Sequence, residues 1–202
     1  MTHSLLQDSL KESARLLVVG SGTGMELINY SQQNPSWLLT GVDPASEMME
    51  IARSQLENLS DRIVLHTGYV DSLPKAEPMD AATLLLVMHF VADDGSKLKL
   101  LKDIASHLKP GAKFILADLH GDKSATYFSQ FIRTWQALYF SQLDNTARVE
   151  AEAEFATAIA NSIYFVPEAR IVELLQLAGF TNVSKFYNAF LFGGWIAEYA
   201  SN

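Results

Sequence analysis

The feature that most constrains this chain is a short apolar run followed at once by three alternating glycines. Residues 16–19 are too few for a helix and have the character of a strand that is buried on both faces. Gly20, Gly22 and Gly24 follow, and glycine permits both a sharp turn and the close approach of a ligand to bare backbone. We expect the exposed N–H groups of this turn, and the helix end beyond it, to favour an anionic or hydrogen-bond-accepting ligand. The alternative is an ordinary tight strand-to-helix turn.

The glycine spacing distinguishes between nucleotide cofactors. A dinucleotide-binding fingerprint, Gly-x-Gly-x-x-Gly, needs its third glycine where this chain has Met25, and a phosphate loop needs Gly-Lys-Ser/Thr after the turn. Neither pattern is present. A second apolar run, residues 37–42, ends in Asp43, which Pro44 holds in an extended backbone. A carboxylate at this strand end lies where a ribose exposes its hydroxyls, although a solvated turn aspartate is the alternative.

These residues, with three further motifs, resemble those of the class I S-adenosylmethionine-dependent methyltransferases. The motifs are Val-Val-Gly-Ser-Gly-Thr-Gly at 18–24, Gly-Val-Asp at 41–43, Gly-Tyr-Val-Asp at 68–71, Met-His-Phe at 88–90 and Leu-Lys-Pro-Gly-Ala at 108–112. They follow one another in family order and at family spacing over nearly the whole chain. The resemblance implies an α/β fold with a doubly wound, mostly parallel seven-stranded sheet, and S-adenosylmethionine as the cofactor.

The resemblance also implies which residues hold that cofactor. The glycine turn and Asp43 would hold its amino-acid tail and ribose, and Asp71 would bind the adenine amino group. As a helix N-cap or a solvated turn residue, Asp71 would be unremarkable. The full set of expected cofactor-binding residues is Gly20, Ser21, Gly22, Gly24, Asp43, Val70, Asp71 and Met88.

Two histidines follow strands at the edge of the predicted sheet where ligands bind in open α/β folds. His89 follows the predicted fourth strand, residues 80–88, and His120 follows the fifth, residues 113–119. Asp118 or Asp122 is close enough in sequence to orient His120. A hydroxyl or protonated amine acceptor needs a base, so we predict His89 and His120 as catalytic residues. A histidine satisfied by backbone at a strand end is the alternative for His89.

The α/β alternation breaks between residues 123 and 166, where only helical patterns occur. An aromatic stripe in this segment predicts a helical lid over the sheet edge, with an apolar acceptor chamber beneath it; alternatively the stripe only packs the segment onto the domain. We therefore predict a single methyltransferase domain, 1–202, with a lid insertion at 123–166. The stripe consists of Tyr127, Phe128, Phe131, Trp135, Leu138 and Tyr139.

Helical spacing predicts two further core stripes, and the end of the chain predicts an antiparallel hairpin of residues 182–186 and 190–199. Lys109-Pro110-Gly111 is expected to end the helix that follows the fourth strand. The two stripes are Met48, Ala52, Leu56 and Leu59, and Leu98, Leu101, Ile104 and Leu108.

Charge and composition bear on partners and location. The net charge of −8 without a basic run predicts no direct nucleic-acid binding and fits a neutral or cationic small-molecule acceptor. With no cysteine there is no disulfide or thiolate metal site, and no metal-ligand spacing occurs, so we expect no metal. No apolar stretch reaches the length of a membrane span. We expect a cytoplasmic enzyme that does not bind membranes; a homodimer is left open.

Two other functions stay open at this point. Residues 186–193 are similar to the last hairpin of carboxy-S-adenosylmethionine synthases, which exchange the methyl for a carboxymethyl group and modify tRNA indirectly. Such enzymes need a cation for the extra carboxylate, and the lid offers Arg133 and Arg148. A methyltransferase fold that binds ligand without catalysis is the other alternative, which the intact glycines and Asp43 disfavour.

Overall fold

The computed structural model of this protein describes residues 1–59, 61–141 and 145–200. Within these ranges seven strands form one sheet with the order β3-β2-β1-β4-β5-β7-β6. The strands are β1 (Arg15–Val19), β2 (Leu38–Asp43), β3 (Ile63–Thr67), β4 (Met79–Leu85), β5 (Leu108–Leu119), β6 (Phe180–Ala189) and β7 (Phe192–Tyr199). The helices are α1 (Thr2–Gln7), α2 (Met25–Gln33), α3 (Ser46–Leu56), α4 (Ser96–Ala105), α5 (Phe128–Tyr139), α6 (Asn145–Asn161) and α7 (Glu168–Leu177).

The sheet is parallel except for β7, which runs antiparallel to both β5 and β6. Leu16 and Val18 of β1 belong to one hydrophobic core, and Leu17 and Val19 belong to another on the opposite face. Because both faces of β1 are buried, its sequence is an unbroken apolar run. The doubly wound fold and the final hairpin predicted from the sequence are confirmed.

The strand order reverses at β1, with β2 and β3 on one side and β4 and β5 on the other. In open α/β sheets such a reversal leaves a crevice outside the carboxyl ends of the two central strands. The glycine turn after β1 and the short 3-10 turn Met88–Phe90 after β4 lie at these ends. The topology therefore brings the candidate residues to one edge of the sheet.

Two sequence-based boundaries are wrong. Strand β4 ends at Leu85, and Met88 lies in the separate 3-10 turn. Helix α4 ends at Ala105, so the Lys109-Pro110-Gly111 segment does not end it but lies near the start of β5. The pairing of β4 with β5 shifts between Met79 and Ala81, which skips residues 109–112; Pro110 therefore costs no ladder hydrogen bond.

One predicted core residue is also wrong. Met48 is 48% exposed, while its neighbour Met49 is fully buried. The two side chains point about 100° apart on α3, so the helix buries Met49 with Ala52 and Leu56. No helix in the described part of the chain combines the length and the apolar character that a membrane crossing needs.

Candidate functional site

A first cavity of about 680 Å³ opens at the carboxyl ends of β1, β2 and β4. Four of the expected cofactor-binding residues line it: Gly20, Gly22, Asp43 and Val70. Met48, which was assigned to the core from its spacing, also lines it. Its volume lies within the range usual for small-molecule and cofactor sites.

The backbone N–H groups of the glycine turn are used inside the protein. Those of Gly20 and Ser21 donate to the carbonyl oxygen of Val42, at 2.8 and 3.2 Å. That of Gly22 donates to Oδ2 of Asp43 at 2.9 Å. The expectation that exposed N–H groups of this turn favour an anionic ligand is therefore wrong for these three groups. These three N–H groups are therefore not available to a ligand.

Gly20 is required by both space and backbone conformation, and Gly22 by backbone conformation alone. Gly20 has φ +72°, and a Cβ there would lie 2.2 Å from Cγ2 of Val87. Gly22 has φ +51°, and a Cβ there would meet nothing nearer than the sulfur of Met48, at 3.9 Å. The backbone of Gly22 is therefore bare toward the first cavity, and a ligand can lie against it.

Asp43 is buried at the end of β2, and its carboxylate connects the glycine turn with the backbone that follows β2. Its Oδ1 accepts the N–H of Ala45 at 2.8 Å, while Oδ2 accepts that of Gly22. A carboxylate has about four acceptor positions, so each oxygen retains capacity for another donor. Asp43 thus fixes the glycine turn and still presents acceptors to the first cavity.

The other expected cofactor-binding residues do not line the first cavity as the described residues form it. Ser21 is buried, with its Oγ 3.6 Å from the sulfur of Met49, and Met88 is 1% exposed. Gly24 is the N-cap of α2. Asp71 is exposed and accepts a hydrogen bond from Nζ of Lys99 at 2.7 Å, which lowers the pKa of its carboxyl. Their roles toward a cofactor stay predictions.

A second cavity of about 340 Å³ lies beside the first, and Leu86 and Phe90 line both. Apolar side chains form nearly all of its wall, and His89 is the polar exception. Leu86 has φ +57°, an uncommon conformation for a residue with a side chain. Such strain is often found at functional sites, and here it marks the boundary between the two cavities.

Residues of the 123–166 segment form one wall of the second cavity. Trp135 of α5 packs edge-on against Phe155 of α6 and Phe192 of β7, with ring centroids 4.8 and 4.9 Å away. Further along, the N–H of Tyr164 donates to the carbonyl oxygen of His89 at 2.8 Å. Of the predicted aromatic stripe, Trp135 lines this cavity, whereas Tyr127, Phe128 and Phe131 line a third one.

His89 is held from two sides by Asp118, the one carboxylate of β5, which is buried. The ring Nδ1 of His89 contacts Oδ1 of Asp118, and its backbone N–H donates to Oδ2 at 3.1 Å. The N–H of Leu119 also donates to Oδ1, at 2.6 Å. Because a carboxylate accepts, the proton of the neutral ring is assigned to Nδ1, which leaves Nε2 as the basic nitrogen. A base oriented in this way is a recurring arrangement in catalysis.

His120 does not join His89. It lines the third cavity, of about 320 Å³, and its Nε2 pairs with Oδ1 of Asn188 at 3.2 Å. The prediction that Asp118 or Asp122 orients it is wrong, since Asp118 binds His89 and Asp122 accepts the N–H and hydroxyl of Ser124. Burial, and then repulsion by Lys185, lowers the pKa of His120. The two predicted catalytic histidines therefore lie in different cavities.

Sequence reasoning missed Leu86, Phe155 and Lys97 at this site. No local sequence pattern indicates the uncommon backbone conformation of Leu86 or the packing of Phe155. Lys97 reads as a solvated helix residue, yet it is buried and donates to the carbonyl oxygen of Met88 at 2.7 Å. Helical spacing could have found it, because Lys97 lies four residues before Leu101 and seven before Ile104 on the buried face of α4, unlike the exposed Lys99 and Lys102.

Comparison with known proteins gives a family. A family model described as a methyltransferase domain matches residues 2–185, most of the chain. No curated protein matches the sequence. Among solved structures, the S-adenosylmethionine-dependent methyltransferase SibL in its apo form is 17% identical, with a TM-score of 0.65, over 99% of this chain and 55% of its own.

Two further solved structures have the same fold. An O-methyltransferase family 2 protein from Planctomyces limnophilus, in complex with apigenin, is 18% identical, with a TM-score of 0.65, over 97% of this chain and 56% of its own. Human N-acetylserotonin methyltransferase, in complex with S-adenosylmethionine, is 17% identical, with a TM-score of 0.64, over 99% and 51%. This chain thus spans about half the length of the three, and at these identities the likeness shows the fold.

The family model and the sheet lead to the same assignment. The model covers the glycine turn, the end of β2 and both histidines. The mostly parallel seven-stranded sheet, with its antiparallel β7, is the kind of sheet that the sequence resemblance implied. The chain therefore belongs to the methyltransferase-domain family and has the fold of the class I S-adenosylmethionine-dependent methyltransferases.

Proposed function

We propose that this protein is an S-adenosylmethionine-dependent methyltransferase that acts on a hydroxyl group of a small, apolar acceptor. The observation that supports this choice of cofactor is that N–H groups of the glycine turn already form hydrogen bonds within the protein. A dinucleotide needs free N–H groups for its pyrophosphate, and those of Gly20, Ser21 and Gly22 are taken. S-adenosylmethionine has no pyrophosphate, and its ammonium group and ribose hydroxyls, though not its carboxylate, need acceptors.

The residues of the first cavity fit that cofactor. Asp43 would accept the ribose hydroxyls with its remaining capacity, and the bare backbone of Gly22 would lie against the ligand. Tyr69, Val70 and Met48 offer apolar surface for the adenine. When bound, the cofactor supplies a methyl group already activated on a sulfonium, so transfer depends mainly on alignment.

The second cavity is the proposed acceptor chamber. Its wall is apolar except for His89, and it adjoins the first cavity at Leu86 and Phe90. A charged acceptor would stay unpaired there at a large desolvation cost, so a neutral aromatic or aliphatic molecule with a hydroxyl fits best. The complex of a structural relative with apigenin supports a small-molecule acceptor for this fold.

His89 is the proposed base. Asp118 holds Nδ1, so Nε2 is free to accept the hydroxyl proton as the acceptor oxygen takes the methyl. Asp118 also binds the backbone N–H of His89, which fixes the turn as well as the ring. His120 lies in the third cavity and has no such position.

The 123–166 segment is the proposed lid within a single domain. It contributes Trp135, Phe155, Ala158, Ile159 and Ile163 to the chamber. We also keep as predictions a cytoplasmic location and no direct nucleic-acid binding, while the oligomeric state is left open. The net charge of −8 supports the second of these.

The chamber argues against a carboxylated cofactor. A carboxymethyl group would need a fixed guanidinium beside the reacting atoms. Arg133 is exposed, and neither it nor Arg148 lines the first or second cavity as the described residues form them. The carboxy-S-adenosylmethionine synthase alternative therefore has no support in these cavities.

A transfer assay with labelled S-adenosylmethionine and a panel of neutral phenols and alcohols tests the proposal. The parent should methylate one of them. His89→Gln should lower kcat by about 10²–10⁴ without weakening cofactor binding, since it removes the base and leaves the first cavity intact. His120→Gln is the matched control and should stay close to the parent. Equal loss in both variants, or none in His89→Gln, would contradict His89 as the base.

A further inference from the structure

Phe90 is the aromatic residue that the first and second cavities have in common. Of the residues that the structure describes, Leu86 and Phe90 alone line both cavities. The ring of Phe90 packs against that of His89, the proposed base, with centroids 4.0 Å apart. Phe90 is nevertheless 58% exposed, so much of its ring is open to a ligand. An accessible aromatic ring therefore lies beside the base, where the two cavities meet.

The junction of the two cavities is also where a positive charge has to be accommodated. A methyl group that passes from the cofactor cavity to the acceptor chamber must pass where the two adjoin, beside Leu86 and Phe90. S-adenosylmethionine carries a positive charge on the sulfur that holds this methyl, whereas its demethylated product, S-adenosylhomocysteine, is uncharged there. A cation in apolar surroundings is costly unless a group of negative potential faces it.

The carboxylates of the site do not lie at this junction. Asp43 is the one acidic side chain among the described residues that line the two cavities. It ends β2, and β1 lies between β2 and β4, so the usual strand spacing places it about 10 Å from the end of β4. Asp118 is fully buried behind His89 and lines neither cavity. The face of an aromatic ring carries negative potential, and Phe90 offers one at the junction.

We propose that Phe90 is a specificity-determining residue whose ring face receives the sulfonium of S-adenosylmethionine and so favours the cofactor over its uncharged product. This inference rests on the proposed function and adds to it how this site distinguishes the two ligands. A cation over an aromatic face is attracted by the charge distribution of the ring, more strongly when water is excluded. The attraction is absent once the methyl has been transferred, because the sulfur is then neutral. Phe90 thus holds the cofactor without holding the product.

Two substitutions separate the ring face from its apolar bulk. Phe90→Leu keeps an apolar side chain and removes the aromatic face, whereas Phe90→Tyr keeps that face. Phe131→Leu is the matched control, because Phe131 is also exposed but lines only the third cavity. Calorimetric titration of each protein with S-adenosylmethionine and with S-adenosylhomocysteine gives the ratio of the two affinities. A merely structural role for Phe90 would change both affinities alike and leave their ratio unchanged.

Phe90→Leu should bind S-adenosylmethionine roughly two- to thirtyfold more weakly than the parent and bind S-adenosylhomocysteine as tightly as the parent does. Phe90→Tyr and Phe131→Leu should both keep the affinity ratio of the parent. An unchanged ratio in Phe90→Leu overturns this inference and leaves the proposed function standing. A parent protein that binds neither ligand overturns the proposed function, and this inference with it.

Discussion

Asp43 accepts the backbone N–H of Gly22 at 2.9 Å, so the end of β2 holds the turn that follows β1. Twenty-one residues separate the two along the chain, but the parallel pairing of β1 with β2 brings them together. The carboxylate expected to bind the ribose therefore also shapes the backbone against which the cofactor lies. Substitution of Asp43 should affect both contributions at once.

Ala158→Leu should affect acceptor binding alone. Ala158 lines the second cavity and not the first, so the added methyl groups fill space meant for the acceptor. We expect KM for the acceptor to rise about tenfold or more, because a filled pocket loses at least one group's contacts, at roughly 1–3 kcal/mol. The affinity for S-adenosylmethionine should not change.

The control for this variant is Ala156→Leu, on the same helix but outside the cavity lining. It should leave both ligands unaffected. Equal rises in KM for the two variants would mean that the helix, and not the chamber, had been disturbed. A changed cofactor affinity in Ala158→Leu would contradict the separation of the two cavities.

Hydrogen exchange tests the lid. The 123–166 segment borders the second cavity and makes a few aromatic contacts there, so we expect its amides to exchange faster than those of β1 and β4 in the free protein. Cofactor and acceptor together should slow that exchange, since bound acceptor adds contacts under α5 and α6. Strands β1 and β4 serve as the internal reference. Equal protection of the segment with and without ligands would argue against a moving lid.

Glu26 gives a pH-dependent prediction about stability. Its Oε1 is buried, and burial, which outweighs the opposing effect of hydrogen bonds from Thr83 and Tyr30, raises the pKa of its carboxyl above 4.5. A raised folded-state pKa means that the folded protein binds the proton more tightly than the unfolded chain. The stability this provides is complete below about pH 4.5 and is lost as the pH rises through the folded-state pKa.

Glu26→Gln cannot ionise, so it should be more stable than the parent near neutral pH, by about 1 kcal/mol or more, with a gap that shrinks toward pH 4.5. Urea unfolding at the two pH values measures this. Glu47→Gln, another first-turn glutamate but exposed on α3, should change stability by only a few tenths of a kcal/mol. A stability difference between Glu26→Gln and the parent that does not change with pH would contradict the ionisation of a buried carboxyl at Glu26.

The fold could be predicted because its signals are local and agree with one another. The apolar run of β1, the glycine turn and the strand ending in Asp43 each follow from residues that are adjacent in sequence. The same holds for the break in α/β alternation after β5. Met48 shows the limit of such patterns, because one residue's shift around α3 places it in the first cavity and Met49 in the core.

The site could be predicted only in part, since its key contacts are between distant residues. His89 and Asp118 are 29 residues apart, and the sequence around either residue does not indicate the other as its partner. Asp118 was expected beside His120, its near neighbour in sequence, but its carboxylate contacts the ring of His89, whereas His120 lies beyond the end of β5 and pairs with Asn188. Burial of Lys97 was missed, although its spacing from Leu101 and Ile104 places it on the buried face of α4.

Calorimetric titration of S-adenosylmethionine tests the central claim most directly, with Asp43→Ala and the control Glu50→Ala, which lies exposed on α3. Each hydrogen bond to a charged group contributes roughly 1.5–3 kcal/mol, so loss of Asp43 should weaken binding at least about tenfold. The parent and Glu50→Ala should bind equally, and NAD should bind neither. Binding of S-adenosylmethionine by Asp43→Ala as tight as that by the parent, or preferential binding of NAD, would contradict the account.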